Sequence, residues 1–395
     1  MEGGEMNADS EAVYFGKGYS GLYDDYMDFI NYVFGFNGAN EDFKKLLPKL
    51  YRPEDDPCGS SYIALENGKL KAAVGAYSLD VCVAGEVLHT RGIGNVAVHP
   101  YYRSKGYMRK LMELAVDDMV RDGIDFSALG GKRQRYNYFY FEKCGECVSL
   151  SLNTDNMRHA LKGALIQNID IKKIGSDDEA ALDAIAELVR SQPFYALRKR
   201  ERLYDILTSW GASVWYAGVN ESFIGYALVK GDEVSELLLT DEARLAEFCA
   251  ALLSASGRSS LSVKLPSFMS GYIDRLCRIA ENCSAFAPES FAVFNFERTL
   301  RAFFKLKAQT CRTVLPDGEL TLLIHGRAGD ENLSMRVSGG VPTVERSAGT
   351  YALELDGLEA MNLLFAPVYP KRNELTDFAR LWLPLPIYLF PADTV

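Results

Sequence analysis

The stretch Asn95–Lys110, NVAVHPYYRSKGYMRK, is where the fold is decided. Val96-Ala97-Val98 is a short apolar run of strand character, Pro100 ends it, and Arg103-x-x-Gly106-x-x-Arg109 leads directly into a periodic segment. Met108, Leu111, Met112, Leu114, Ala115 and Met119 fall on one side of a helix over 108–121. A strand that ends in a turn and opens a helix leaves backbone N–H groups without partners, all aimed at one point, and so makes an anion cradle. Gly106 would let a phosphate approach the backbone closely, and Arg103, Lys105 and Arg109 add positive charge. On these residues alone an ordinary strand-to-helix connection fits as well. No GxxxxGK[ST] occurs in the chain, so a P-loop nucleotide site is not supported.

Working outward, Ser61 to Val98 alternates in short runs punctuated by Asn67-Gly68 and Gly85-Glu86, which predicts an antiparallel meander. Before it, Tyr23–Phe36 has the apolar spacing of an amphipathic helix. After the 108–121 helix come a short strand, Phe126–Leu129, and GGKRQRYNYFYFEKCG over 130–145, whose rings fit an aromatic core helix. A second helix-and-strand stretch begins near Asn168 with IDIKKIG and DDEAALDAIAELVRS, whose acids complement the helix dipole. Beyond Tyr195 follow a charged helix and strands at Ser213–Val219, Ser222–Val229 and Val234–Leu239; a helix over Asp241–Ser254 and the strand SLSVKLP close it. The order of the first region recurs, with no repeated motif and no second RxxGxxG-like loop. From about Glu297 the texture changes. TLRAFFKLKAQ is helical, ELTLLIHG, LSMRVSGG and TYALELDG alternate with period two, and GLEAMNLLF and ELTDFARLW end the chain as helices. The reading is an α/β (α+β) chain of three domains, 1–150, 151–296 and 297–395.

Composition agrees. A chain of 395 residues exceeds what one core usually organises. With 48% hydrophobic and 24% charged residues it is ordinary globular material. A formal charge of −10 argues against a duplex nucleic acid partner and favours cationic small molecules. The longest apolar run, Leu381–Ala392, is broken by Pro384, Pro386 and Pro391 and falls short of the roughly 20 residues a membrane span needs. The opening MEGGEMNADSE is acidic, the reverse of a signal peptide, and reads as a disordered tail. A cytoplasmic location is therefore expected. The eight cysteines are scattered apart from Cys144 and Cys147, and His89, His99, His159 and His325 are equally dispersed. Reduced structural thiols and no metal site are expected.

In its full context the 95–110 segment resembles motif A of the GCN5-related N-acetyltransferases (GNAT), as an R-x-x-G-x-M variant with Met108 where a second small residue is usual. The resemblance implies that the backbone of Val96, Ala97 and Val98 pairs with the pantetheine arm of acetyl-coenzyme A. It implies too that Arg103, Ser104, Lys105, Gly106, Tyr107, Met108 and Arg109 cradle its pyrophosphate. The layout as a whole, with the ending FARLWLPLPIYLFPADTV, resembles the enhanced intracellular survival (Eis) acetyltransferases: two GNAT domains, the second degenerate, followed by a sterol-carrier-protein-like (SCP2-like) α+β domain. That resemblance implies a general acid at Tyr136, laid on the family's I-Y-G-R-F-G-Y segment, and a general base at the α-carboxylate of Val395. A tyrosine of ordinary pKa near 10 holds a proton to donate at neutral pH. Tyr140 stands where the family has glycine, so Tyr138 and Tyr140 stay open as alternatives, and the terminal valine replaces a frequent aromatic ending. A primary amine of an aminoglycoside, polyamine or lysine-like acceptor, and a homo-oligomer, often a hexamer, are likewise implied. The competing reading is a non-catalytic protein that binds coenzyme A and, in its last domain, a lipid.

Overall fold

The computed structural model describes residues 13–36, 38, 42–162 and 169–395. The N-terminal tail and the start of the second stretch at Asn168 lie outside the described residues. The first part of the chain runs β1 (Tyr14–Lys17), α1 (Tyr23–Phe36), α2 (Phe43–Leu46), β2 (Ser61–Glu66), β3 (Lys69–Val83), β4 (Glu86–Val98), α3 (Tyr107–Arg121), β5 (Phe126–Leu129), α4 (Arg133–Tyr136) and β6 (Glu142–Cys144). The middle runs β7 (Cys147–Asn153), α5 (Thr154–Ala160), β8 (Asp170–Lys173), α6 (Glu179–Arg190), β9 (Phe194–Ala196), α7 (Leu203–Thr208), β10 (Ser213–Val219), β11 (Ser222–Lys230), β12 (Glu233–Leu239), α8 (Leu245–Ser256), β13 (Ser260–Pro266), α9 (Ser270–Cys277), β14 (Asn282–Phe286) and β15 (Glu289–Val293). The last part runs α10 (Phe296–Thr310), β16 (Gly318–Gly326), β17 (Gly329–Ser338), β18 (Val341–Arg346), β19 (Leu353–Asp356), α11 (Gly357–Phe365) and α12 (Asp377–Trp382).

The meander forms as its turns require. Asn67 and Gly68 both take left-handed φ, +54° and +70°, the pairing that matches strand twist in a two-residue hairpin. The first sheet has the order β1-β2-β3-β4-β5-β15-β6, with β9 added at the far end of β3. The second has the order β14-β7-β13-β12-β11-β10-β8. In each, three antiparallel strands lead through a helix to a parallel neighbour: β4 to β5 across α3, and β12 to β13 across α8. The recurrence read from element order is thus real in three dimensions.

The two sheets also exchange strands. β15 enters the first sheet between β5 and β6, while β7 enters the second beside β13. The third sheet, β18-β17-β16-β19, is backed by α10. Its core is continuous with that of the first sheet, for Phe303 of α10 stacks edge-on against Phe126 of β5 at 6.0 Å.

Two local expectations change. The aromatic segment is not one helix: α4 is a single turn, a 3₁₀ turn at Asn137–Phe139 follows, and Tyr140 turns left-handed at φ +68° before β6. Arg133 pairs with buried Glu142 and closes this loop on itself. The short strands β9, β14 and β15 carry too little local pattern to be read singly, and β7 and β18, although their burial alternates, are not among the strands expected from the sequence. They exist because a neighbouring strand supplies their hydrogen bonds.

Candidate active site

β4 and β5 pair in register from Thr90↔Phe126 to Ile93↔Leu129, and there the ladder stops. On the other flank the register against β3 shifts between Ala73 and Gly75, so β4 carries an extra residue around Asn95. This is a β-bulge, which bends a strand and frees ladder groups. Asn95 sits in the left-handed region at φ +50°, which asparagine tolerates better than most residues. Its side-chain amide donates to the hydroxyls of Tyr51 and Tyr77. Tyr77 in turn contacts Tyr26 hydroxyl to hydroxyl at 3.1 Å. The bulge is therefore pinned by a buried tyrosine cluster, and beyond Ile93 the edge of β4 that carries Val96, Ala97 and Val98 diverges from β5.

At the end of β4, Pro100–Tyr102 form a 3₁₀ turn, and the chain reverses through Ser104 (φ +67°) and Gly106 (φ +80°) into α3. No side chain caps α3, and no acid lies in its first turn. Lys105 stacks over Tyr102 at 4.3 Å, Arg103 lies over Phe36 at 5.8 Å, and Arg109 reaches Glu113 at 3.0 Å. An uncapped N-terminus of a 15-residue helix, ringed by cations, is suited to an anion. At the matching place in the second sheet, the side chain of Asp241 accepts from Ala243 N, and Glu242 and Glu247 lie in the turns that open α8. Acids there repel what α3 attracts.

Of the three tyrosines left open, only Tyr136 lines the cavity of about 670 Å³ that also takes in Ile93, Asn95, Val96 and Val395. It is buried, which pushes its hydroxyl above the usual tyrosine range, while Arg135 opposes the shift; at neutral pH it keeps its proton. Tyr138 is 78% exposed, with Arg109 over its ring, and Tyr140 packs against Gly357 of α11.

Val395 is half-buried. It packs against the apolar cluster that includes Tyr77, Ala97 and Leu47, and it lies against Gly92 and Gly94 of β4, where a β-carbon would crowd it. Val395 lines both the cavity with Tyr136 and a second of about 370 Å³ that extends past Ser78, Asp80 and Lys49 to Arg198 and Arg202. Glu289 of β15 also lines both. Burial raises its carboxyl above the usual range, with Lys143 opposing, and Oε2 has no hydrogen-bond partner among the described residues. Nothing local marked Glu289, because only the strand exchange carries it to this place. The CxxC cysteines are buried and burial raises both thiols, Cys147 to about 11, so neither is a reactive thiolate. No helix among the described residues is long and apolar enough to cross a membrane, and no cluster of metal-ligating side chains occurs among them.

The family profile described as the acetyltransferase (GNAT) domain matches residues 19–143, the part of the chain that holds the bulge, the cradle and Tyr136. Several solved structures share the fold end to end. A protein of Enterococcus faecalis described as a "Probable N-Acyltransferase" has a TM-score of 0.67 at 16% identity, over 96% of this chain and 98% of its own. A GCN5-related N-acetyltransferase from Kribbella flavida has 0.66 at 16%, over 98% and 100%. Eis1 from Mycobacterium abscessus has 0.62 at 12%, over 95% and 96%. No curated protein matches the sequence. Residues 19–143 thus carry an acetyltransferase (GNAT) domain, and the chain as a whole shares the fold of these solved proteins. Such domains take acetyl-coenzyme A as cosubstrate and act on amine acceptors.

Proposed function

We propose that the chain transfers acetyl from acetyl-coenzyme A directly to a primary amine of a cationic acceptor, an aminoglycoside, polyamine or lysine-like group. Tyr136 serves as general acid and the α-carboxylate of Val395 as general base. The observation that carries this reading is the single cavity shared by Tyr136, the open edge of β4 and Val395. Backbone groups of Val96–Val98, left without a strand partner on the β5 side, would hold the pantetheine arm. The turn from Arg103 through Ser104, Lys105, Gly106, Tyr107 and Met108 to Arg109 would hold the pyrophosphate at the bare end of α3. The thioester then lies near Tyr136, and the second cavity brings the amine from the opposite side of Val395. The neutral amine attacks the carbonyl carbon, a C–N bond forms and the C–S bond breaks. The amine proton passes to the Val395 carboxylate, directly or through water, and the tyrosine hydroxyl protonates the departing thiolate. Holding both reactants against one wall supplies much of the rate.

The acceptor class is supported by charge. In the second cavity Asp55 pairs with Arg202, Asp393 with Arg198 and Asp80 with His89, which leaves Glu289 and the terminal carboxylate as acids facing the space, with Lys49 and Lys199 on its wall as well. An approaching ammonium would hold Glu289 ionised. A division into two GNAT domains near residue 150, with a sterol-carrier-like module from about 297, a homo-oligomer and a cytoplasmic location belong to the same proposal. The test is thiol release from acetyl-coenzyme A over a panel of aminoglycosides, polyamines and lysine peptides. Release that depends on acceptor, and that a C-terminal extension suppresses, supports the reading. If no amine releases thiol while lipid co-purifies in native mass spectra, the chain is a binding protein instead.

A further inference from the structure

The last residues of the chain are held by a buried polar cluster that the transfer chemistry does not itself use. The Arg198 side chain, 4% exposed, lies between those of Glu236 and Asp393, each 1% exposed. Its Nε and Nη2 donate to the two carboxylate oxygens of Asp393, both at 2.8 Å. Its Nη1 and Nη2 donate to those of Glu236 at 2.8 and 2.7 Å, and the hydroxyl of Tyr226 donates to Glu236 as well. From the first part of the chain, Lys49 Nζ donates to the carbonyls of Ala392 and Thr394 at 2.6 and 2.7 Å. Trp210 Nε1 donates to the carbonyl of Thr394 at 3.3 Å.

As a source of stability this is a poor investment. Taking a guanidinium and two carboxylates out of water cancels most of their attraction, and apolar side chains of the same volume often serve as well. As a source of direction it is strong. A fork-to-fork contact fixes a carboxylate in distance, plane and orientation at once. Asp393 stands two residues before Val395, so few torsions separate the fixed fork from the α-carboxyl group. Lys49 and Trp210 take up the carbonyls on either side of Asp393 and restrict those torsions further.

We propose that Arg198 and Asp393 form a positioning clamp that aims the terminal carboxylate into the transfer cavity. The middle of the chain thus contributes to catalysis by directing a group it does not carry. The proposal rests on the reading of that carboxylate as the base. Arg198 and Asp393 are positioning residues and touch no reacting atom.

The test compares Asp393→Asn and Asp393→Glu with wild type in steady-state thiol release, each checked for folding by circular dichroism and melting temperature. Asparagine keeps the shape and removes the charge; glutamate keeps the charge and lengthens the arm by one methylene. The clamp predicts that both variants lose kcat by about 10- to 100-fold while KM for acetyl-coenzyme A stays within about twofold, because β4 and the α3 turn are untouched. A role in stability alone predicts a lower melting temperature with kcat per folded molecule unchanged, and that result overturns the proposal. A C-terminal extension separates the two readings. If the extension abolishes turnover and both Asp393 variants keep it, the base stands and the clamp falls. If the extension leaves turnover intact, both fall. Should Asp393→Asn fail to fold, Asp393→Glu and Arg198→Lys carry the same comparison.

Discussion

Gly92→Ala is the sharpest perturbation the structure offers. A β-carbon at Gly92 would lie 2.6 Å from Cγ2 of Val395. Carbon atoms in contact prefer about 3.5–4.0 Å, so the deficit is roughly 1 Å. The strand cannot easily yield it, because Gly92 pairs with Tyr77 of β3 on one side and Ala128 of β5 on the other. Val395 must give way instead, by turning its side chain or by moving as a whole, since Cγ2 alone is that close and Cβ and Cγ1 lie at 3.7 Å. Where the residue moves as a whole, a displacement of about 1 Å in a reacting group costs on the order of 10²-fold in rate, or about 2.7 kcal/mol of barrier. Thiol release at saturating acceptor should therefore show kcat lowered about 100-fold, with KM for acetyl-coenzyme A nearly unchanged. Removing the obstructing methyl groups with Val395→Ala in the same chain should return the rate to within a few-fold of the single Val395→Ala variant. Full turnover by a folded Gly92→Ala protein, or no recovery in the double variant, would refute the placement of the carboxylate as the working base.

Tyr136→Phe should lower kcat by at least about 10²-fold and leave KM for acetyl-coenzyme A close to wild type, whereas Tyr138→Phe and Tyr140→Phe should keep most of the rate; initial-rate measurements on the three variants decide it. Gly106→Ala places a β-carbon on a residue at φ +80°, which costs about 1–2 kcal/mol, and should raise KM for acetyl-coenzyme A more than it lowers kcat, as read by calorimetric titration beside kinetics. Burial drives Lys49 down to about 7 from 10.5, with Asp393 opposing and Arg198 assisting. Between those values the unfolded chain binds the extra proton, so this group's contribution raises stability as pH climbs through the window and lowers it below. Denaturant midpoints across that range should rise in wild type and lose that rise in Lys49→Met. The exposed sulfurs of Cys277 and Cys283 lie 3.6 Å apart, and mild oxidation should link them, seen as protection from alkylation in peptide mass maps.

The shape of the proposed cradle was legible in the sequence because its parts are neighbours: strand end, basic turn and helix start occupy 95–110 and need no distant partner to form. The same holds for the hairpin at Asn67-Gly68 and for the apolar stripe of α3, whose Leu111, Met112, Ala115 and Met119 are buried together. Period and turn chemistry are local, and so they can be read locally. The failed helix over 130–145 shows the limit. A run of rings has no preferred face until Glu142 captures Arg133 and Tyr140 turns back toward α11.

What the chain order determined by itself is the meander, the longer helices, the recurrence of their order and the strand-turn-helix shape of 95–110, each encoded within one or two turns of backbone. Tyr136 and Val395 were implied by the family resemblance; tertiary structure added that both line one cavity, which Tyr138 and Tyr140 do not, and it alone brought Glu289 to the same wall. Lys49 meets the tail across 343 residues and Arg198 across 195. Contacts at such separations are chosen by the packing of whole sheets and by strand exchange between them. No spacing rule along the chain can announce them.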